Sequence, residues 1–498
     1  MRAIMLMYDT LRWDMLPSSG GALANLPNFK RLAERSVIFD CSYAGSLPCM
    51  PARRELQTGR LNFLHRSWGP MEPFDVSMPE LLKQNGVYSY LATDHYHYLE
   101  DGGATYHHRF SAWECMRGQE CDRWVGKIDR VTETTPHQMS VGKLPPALKK
   151  MRVAGGLQND ANRTRYTEED QFPQTLTVDA GLTFVHENAD QDNWFLQLEL
   201  FDPHEPFTSP NSYLSRYFDP DHPFVPDWPP YAKVSETEDE VEQIRKKYLA
   251  LLEYCDASLG RVLDTMNELG LWKDTMLIVN TDHGFMLGEH EWWGKNTCPD
   301  YQEVVHTPLF IYDPRCPEAV GQHRSALVQT IDLVPTLLNY FGVPVPAEVD
   351  GKDLGETIRS DAPVRQYGLF GYFGSAINIT DGRYVLMQPV VHTEVAVNEY
   401  TLMPTHMNNR FQPEEFKDVS LAEPFPFTRN CKTLKIPTVV YNAEKISEPT
   451  LYDVIADPHE AHPIYDPELI RALQAEMVRL LKENDAPEEL YARVGLEG

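Results

Sequence analysis

The chain has 498 residues, of which 42% are hydrophobic and 11% aromatic, a composition typical of globular proteins and not of disordered or fibrous ones. It carries 73 Asp and Glu residues against 45 Lys and Arg residues, a formal net charge of −28, which argues against binding to nucleic acids or to anionic membranes. No run approaches the roughly 18 apolar residues of a membrane-spanning helix, and eight scattered cysteines without a C-x-x-C pair indicate neither a zinc site nor a disulfide framework.

The opening run MRAIMLM is shorter than the apolar region of a secretory signal and predicts a buried first strand, so we expect a cytoplasmic protein. Further along the chain, predicted strands alternate with predicted helices. In chain order we expect a strand at 3–8, a helix at 26–36, a strand at 37–40, a helix at 79–86, strands at 87–93 and 195–200, the longest helix from a capping box at Ser235 and Glu238 to Gly270, strands at 275–280 and 308–312, and a helix at 331–341. This alternation predicts an α/β fold whose mostly parallel central sheet is sandwiched by helices.

Two segments interrupt the alternation. Residues about 100–172 are rich in charge, Trp, His and Pro and indicate an insertion, and residues 205–234 indicate a long ordered loop. After residue 375 the pattern changes to short strands, an irregular Pro-rich stretch at 388–450, and a terminal helix at 467–484. We therefore expect a catalytic α/β domain over 1–375 and a smaller C-terminal α+β subdomain over 376–498.

Polar side chains follow several of the predicted strands at the point where each strand ends. Asp9 ends the first strand, Asp202 and His204 follow the strand at 195–200, and Asp282 and His283 follow the strand at 275–280. Because the carboxyl ends of parallel strands lie at one edge of a sheet, we expect these side chains to converge on an active site. Asp9, Asp282 and His283 suit a divalent metal; oxygen ligands favour Ca²⁺ or Mg²⁺, and the imidazole also admits Mn²⁺.

Cys49 precedes a helix predicted to begin near Pro51. A helix N-terminus favours anions and lowers the pKa of a thiol, and Arg53 and Arg54 add positive charge one turn further on. A plain buried cysteine is the alternative interpretation of this residue.

The segment CMPARRELQTGR at 49–60 resembles the C-x-P-x-R-x-x-L-x-T-G-R signature of the type I sulfatases, in the alkaline-phosphatase-like superfamily. Further segments resemble the family in the family's order: YDTLRWD at 8–14, DPHEPF at 202–207, TDHG with GEH and Lys295 at 281–295, IDLVPTLL at 331–338, and LYDVIADPHE at 451–460. The resemblance does not cover 100–172 and 388–445, which we expect to provide specificity.

The resemblance implies that a maturation enzyme oxidises Cys49 to Cα-formylglycine, whose hydrate attacks the sulfur of a sulfate ester and later expels sulfate. By matching positions, Asp9, Asp282 and His283 resemble the metal ligands, which formylglycine-49 completes, and calcium is the favoured ion, with Mn²⁺ and Mg²⁺ as alternatives. Arg53 resembles the residue that holds the formylglycine. Lys295 and His204 resemble the pair at the sulfate and at the leaving-group oxygen.

The chain departs from the family pattern at four places. Thr10 stands where many members have a second Asp, and Asp282-His283 replaces the frequent Asp-Asn, as in the phosphonate monoester hydrolase branch. The usual K-x-H segment is replaced by TDHYHY at 93–98, where either His95 or His97 can take the His role; we favour His97. Ala52 replaces a frequent Ser at a tolerant position.

Three functions follow from this sequence. The leading hypothesis is a sulfuric ester hydrolase acting on a small sulfated sugar or an aryl sulfate. The first alternative is a phosphonate monoester or phosphodiester hydrolase with the same formylglycine, and the second is a non-catalytic sulfatase-like binding protein with unmodified Cys49. Aromatic residues in the unmatched segments suit stacking on a sugar or aryl ring, with core packing as the alternative: Tyr106, Trp113, Trp124, Trp228 and Tyr231.

Overall fold

The computed structural model describes residues 1–128, 146–218, 226–440 and 445–496. Parts of the three segments expected to be irregular, residues 129–145, 219–225 and 441–444, therefore lie outside the described residues.

The strands are β1 Arg2–Tyr8, β2 Val37–Phe39, β3 Ser42–Tyr43, β4 Ser46–Leu47, β5 Tyr88–Thr93, β6 Ala112–Cys115, β7 Trp194–Leu200, β8 Thr275–Thr281, β9 Met286–Leu287, β10 Trp293–Gly294, β11 Leu309–Tyr312, β12 His323–Arg324, β13 Val328–Gln329, β14 Gly368–Tyr372, β15 Ile377–Thr380, β16 Tyr384–Gln388, β17 Val397–Thr401, β18 Ser420–Ala422, β19 Thr433–Thr438 and β20 Thr450–Asp453. The α-helices are α1 Pro27–Ala33, α2 Cys49–Thr58, α3 Met78–Gln84, α4 Ala104–His107, α5 Pro146–Arg163, α6 Pro173–Glu187, α7 Asn211–Leu214, α8 Glu238–Glu268, α9 Gln302–Val305, α10 Leu333–Tyr340, α11 Gly355–Ser360, α12 Pro467–Glu483 and α13 Glu488–Val494.

An eight-stranded sheet forms the centre of the fold, in the order β12-β2-β11-β8-β1-β7-β5-β6. Its neighbouring strands are parallel except where β11 runs antiparallel to β2 and β8. The predicted α/β fold with a mostly parallel sheet is confirmed.

Strand β1 lies in the middle of this sheet and is buried on both faces, which explains its unbroken apolar sequence. Ile4, Leu6 and Tyr8 face a core that includes α1, α6 and α8. Met5 and Met7 face a second core that includes α2, α3 and α10. Successive residues thus point to opposite faces, and each face is covered by helices.

A second, five-stranded sheet has the strand order β20-β16-β15-β14-β4. Apolar residues of α12, such as Leu473, Met477 and Leu481, pack on it. Strand β4 comes from the N-terminal part of the chain and pairs with β14, so the sheet takes strands from both sides of residue 375. The division into 1–375 and 376–498 stays a prediction.

Three local expectations need correction. The long helix begins two residues later than expected, because Thr237 and Glu240 form the capping box instead of Ser235 and Glu238. The segment 100–172 is not only an insertion, because β6 extends the central sheet by pairing with β5. The stretch at 388–450 is not wholly irregular, because β17, β19 and β18 form a three-stranded sheet there. Within the described ranges, no helix combines the length and the apolarity needed to cross a bilayer.

Candidate active site

The register of the central sheet brings the predicted strand ends together. Tyr8 at the end of β1 pairs with Thr281 at the end of β8 and with Leu200 at the end of β7. Asp9 and Asp282 therefore follow two adjacent parallel strands at the same level. Both carboxyl groups are fully buried.

Cys49 is the first residue of α2, with Pro48 as its N-cap, so the helix begins two residues before the position expected near Pro51. Its Sγ atom lies 3.2 Å from Nε2 of His283 and 3.8 Å from Oδ1 of Asp9. Burial, and next the nearby Asp9 carboxylate, raise the pKa of the thiol well above its ordinary value. The expected lowering by the helix N-terminus is therefore outweighed.

Asp9, Cys49, Asp282 and His283 each offer one ligand atom, and these atoms all lie within 4.8 Å of one another. Burial and the neighbouring Asp9 raise the pKa of Asp282 to about 7. Two buried carboxylates this close repel each other unless a cation or a proton lies between them. The donor set of two carboxylates and one imidazole therefore fits a divalent ion.

Arg53 connects the carboxylates of the site through one buried guanidinium. Its Nη2 lies 3.0 Å from Oδ2 of Asp9, its Nη1 lies 2.7 Å from Oδ2 of Asp282, and its Nε lies 2.7 Å from Oε1 of Glu199. Nη1 also donates to the carbonyl oxygen of Cys49 at 3.0 Å. The guanidinium thus fixes the start of α2 relative to the ends of β1 and β8.

Glu199 is a site residue that the sequence analysis missed. Its Oε2 accepts hydrogen bonds from the Tyr98 hydroxyl and from Nε2 of Gln197, both at 2.9 Å. Two polar residues spaced by two, Gln197 and Glu199, within a strand buried along its whole length are the signal that could have found it.

The structure distinguishes the two histidines of the TDHYHY segment. Nε2 of His95 lies 3.6 Å from Oδ2 of Asp9, and the ring is fully buried. Nδ1 of His97 lies 2.6 Å from Oε2 of Glu100 instead, and the ring is partly exposed. The ring centroids are 5.2 Å apart, so His97 is one ring away from the cluster that His95 contacts.

Lys295 and His204 also lie close enough to Asp9 to lower its pKa. Nζ of Lys295 is 3.7 Å from Oδ1 of Asp9, is buried, and has no hydrogen-bond acceptor among the described residues. The imidazole of His204 is buried; burial, and next the charge of Lys295, lower its pKa well below the usual value. Of the site residues that the family resemblance implies, all but His97 therefore belong to one buried cluster around Asp9. Asp202, also expected at this edge of the sheet, accepts a hydrogen bond from Nε2 of Gln119 at 3.3 Å instead.

A pocket with a volume of about 380 Å³ is lined in part by residues that are next to this cluster in the chain. Pro48 and Asn296, which neighbour Cys49 and Lys295 in the chain, line it together with the aromatic rings of Trp68, Tyr372 and Phe373. Tyr372 donates a hydrogen bond from its hydroxyl to the carbonyl oxygen of Lys295.

The aromatic residues singled out from the sequence are distributed differently. Tyr106 is a core residue whose hydroxyl donates to the Gly69 carbonyl. Trp113 and Trp124 are exposed, and Trp228 is buried against Arg152. Tyr231 alone among them contacts the site, through a hydrogen bond to Glu205.

Comparison with family models gives two matches. The sulfatase model matches residues 2–343, and the model of the N-sulphoglucosamine sulphohydrolase C-terminal region matches residues 288–422. A choline-sulfatase of Rhizobium meliloti is 24% identical over 421 residues, which cover 76% of this chain and 77% of the relative.

Two solved structures show the same fold. The phosphonate monoester hydrolase of Agrobacterium radiobacter superposes with a TM-score of 0.65 at 18% identity, covering 97% of this chain and 95% of that one. A protein in complex with its substrate D-glucosamine-2-N,6-O-disulfate superposes with a TM-score of 0.64 at 16% identity, covering 97% of both chains. At these identities the likeness concerns the fold alone.

Proposed function

This chain belongs to the sulfatase family and is a sulfuric ester hydrolase, and we propose that its nucleophile is a formylglycine made from Cys49. One observation carries the proposal: Cys49 begins α2 within 3.2 Å of His283, inside the group of four buried ligand residues. A thiol with a raised pKa is a poor nucleophile and a poor metal ligand. Conversion to an aldehyde hydrate supplies an oxygen nucleophile at the same position.

The metal in this proposal is a divalent cation, with calcium favoured and Mn²⁺ or Mg²⁺ as alternatives. Asp9, Asp282 and His283 would hold it, and the ion would supply Lewis-acid stabilisation of negative charge near residue 49. Arg53 fixes the orientation of both carboxylates through its 3.0 Å and 2.7 Å contacts. It thereby holds the ligand set in shape before an ion arrives.

Lys295 and His204 would bind the sulfate group and the leaving oxygen. Nζ of Lys295 is buried and has no hydrogen-bond acceptor among the described residues, so its N–H donors suit an anionic oxygen. An imidazole such as His204 can transfer a proton to a departing alcohol. His95 contacts Asp9, and we assign it the His role of the replaced K-x-H segment, with His97 as the alternative.

The substrate in this proposal is a small sulfated sugar or an aryl sulfate. The 380 Å³ pocket, lined by the chain neighbours Pro48 and Asn296 of Cys49 and Lys295, has three aromatic rings, which suit stacking on a sugar or aryl ring. Two similar proteins are described as acting on small sulfated compounds, choline sulfate for one by its name and D-glucosamine-2-N,6-O-disulfate for the other. The net charge of −28 disfavours a long sulfated polymer lying across the surface.

Two measurements test the proposal. Mass spectrometry of the peptide that contains residue 49, from protein made together with a maturation enzyme, should find an aldehyde in place of the thiol. A panel of sulfated monosaccharides, disaccharides and aryl sulfates, with free sulfate as the readout, should then identify a substrate. Sulfate release by protein that keeps a thiol at position 49 would overturn the nucleophile assignment, and an unmodified, inactive protein would favour the binding-protein alternative.

A phosphonate monoester or phosphodiester hydrolase is the second candidate. The observation that favours it is the pair Asp282-His283 with Thr10 in place of a second Asp, because Thr10 contributes a backbone N–H to Asp282, at 3.2 Å, and no carboxylate. Matched aryl sulfate and aryl phosphonate substrates separate the two functions. Faster turnover of the phosphonate at equal leaving group would favour the second candidate.

A further inference from the structure

Glu205 is a buried carboxyl group beside His204 that the proposed mechanism does not use. Its Oε2 lies 3.3 Å from Nδ1 of His204 and has no hydrogen-bond donor among the described residues. Its Oε1 accepts a hydrogen bond from the Tyr231 hydroxyl. The carboxyl group is thus held in place by Tyr231 on one side and lies against the imidazole on the other.

Contacts of Nδ1 with Glu205 hold the imidazole of His204 in position. Nδ1 also contacts the carbonyl oxygen of Glu205, so both acceptors that face this nitrogen belong to one residue. The Phe201 ring packs against the imidazole with centroids 4.2 Å apart. With Nδ1 occupied, Nε2 is the ring nitrogen available to a substrate.

The charges around His204 oppose its protonation. Burial and the charge of Lys295 lower its pKa well below the usual value, and a neutral imidazole with its hydrogen on Nδ1 has no proton to give through Nε2. The Asp9 carboxylate and the Glu205 carbonyl oxygen act in the other direction and raise this pKa, and Oε2 of Glu205 lies 3.3 Å from Nδ1. Burial raises the pKa of Glu205 to about 7, Lys295 acts to lower it, and Glu120 acts to raise it, while Arg152 lies within electrostatic range.

We propose that Glu205 is a positioning residue for His204: its carbonyl oxygen accepts the Nδ1 hydrogen, and its carboxylate, 3.3 Å from Nδ1, stabilises the imidazolium that protonates the leaving alcohol through Nε2. The inference rests on the proposed function, in which His204 faces the leaving oxygen. When the sulfur–oxygen bond of the ester breaks, its electron pair stays on the bridging oxygen. That oxygen takes the proton from Nε2, and His204 becomes neutral while Glu205 keeps its negative charge.

This role predicts a dependence on the leaving group that a structural role does not produce. A leaving group such as 4-nitrophenolate needs little protonation, whereas a less acidic phenol or an alcohol needs it fully. In Glu205→Gln, kcat/KM should fall about 10- to 100-fold for phenyl sulfate and less than about 3-fold for 4-nitrophenyl sulfate, as part of the 10²–10⁴-fold typical of general-acid catalysis. The loss should lie in kcat and not in KM.

Glu120→Gln is the matched control. Glu120 neighbours Glu205 electrostatically and accepts a hydrogen bond from Tyr96 at 3.0 Å, and no contact joins it to His204 in the described residues. Its effect should be the same for both substrates. Tyr231→Phe, which frees Oε1 of Glu205, should show a weaker form of the Glu205→Gln pattern.

The experiment compares wild type, Glu205→Gln, Glu120→Gln and His204→Ala on both aryl sulfates and on any sulfated sugar that the panel identifies. A steeper dependence on the leaving group in Glu205→Gln and His204→Ala supports the inference. If His204→Ala shows the steeper dependence and Glu205→Gln lowers both rates equally or not at all, the inference is wrong and the proposed function stands. If His204→Ala shows none, or mature wild type releases no sulfate from any of these esters, the proposed function is what fails.

Discussion

Replacing Glu199 by Gln tests whether the guanidinium of Arg53 holds the metal ligands in place. The substitution keeps the size of the side chain and one carbonyl acceptor, and it removes the charge that lies 2.7 Å from Nε of Arg53. Arg53 is almost fully buried, and its other two charged partners are Asp9 and Asp282. Without the Glu199 charge, those two carboxylates are the ion-pair partners left to balance the charge of the guanidinium.

The magnitude follows from this competition. A divalent ion at the proposed site draws on the same Asp9 and Asp282 oxygens, so in the ion-bound protein Glu199 is the carboxylate left to balance Arg53. Removing a hydrogen-bonded partner of this kind typically weakens metal affinity 10- to 100-fold, or about 1.4–2.7 kcal/mol. We expect Glu199→Gln to fall in this range.

Isothermal titration of chelator-treated protein with Ca²⁺, and separately with Mn²⁺, measures the effect. Glu114→Gln is the control, because Glu114 is an exposed carboxylate on β6 that accepts a hydrogen bond from the Tyr90 hydroxyl at 3.1 Å. Its dissociation constant should match wild type to within about twofold. An unchanged affinity in Glu199→Gln would refute the reasoning that Arg53 and Glu199 organise the ligand set.

Three further outcomes are expected. Cys49→Ala should abolish sulfate release while its thermal melt, followed by circular dichroism, stays cooperative, since a small residue fits a buried helix start; retained turnover would refute the nucleophile assignment. Asp282→Ala should lose bound metal in elemental analysis of the purified protein, and an unchanged metal content would refute the ligand set. Burial raises the pKa of Asp94 from 3.8 to about 7, so the folded state binds this proton more tightly than the unfolded state and its stabilisation is lost as the pH rises through 7. The free energy of unfolding of the wild type should therefore fall between pH 4 and pH 8, and Asp94→Asn should reduce this fall by up to about 4 kcal/mol in urea titrations. An equal fall in both proteins would contradict this account.

The parts of the site that could be predicted are those that depend on the order of elements. Asp9 and Asp282 each follow an apolar strand, and parallel pairing of β1 with β8 is enough to bring them side by side. The resemblance of the segment at 49–60 to the family signature identifies Cys49 and Arg53. These predictions depend on the order of the strands and on a local sequence match. They do not require knowing how deeply each side chain is buried.

The parts that could not be predicted depend on where a short turn directs a side chain. His95 and His97 are two residues apart in a segment that leaves β5 and enters a single 3₁₀ turn at Tyr96–Leu99. That turn buries His95 against Asp9 and directs His97 to Glu100. Alternation along a strand would have placed both rings on one side, so the preference for His97 had no physical basis in the sequence.

Cys49 shows why a residue's place in an element does not determine its reactivity. A helix N-terminus stabilises a nearby anion by about 0.3–1 kcal/mol, whereas moving a charge out of water costs several kcal/mol. Cys49 begins α2 and is also only 2% exposed, so burial and the Asp9 carboxylate outweigh the helix terminus and raise the pKa of the thiol. The sequence indicates where α2 begins, but it does not indicate how deeply Cys49 is buried. In the proposed mechanism, this burial makes the chemical conversion of Cys49, and not its ionisation, the step on which activity depends.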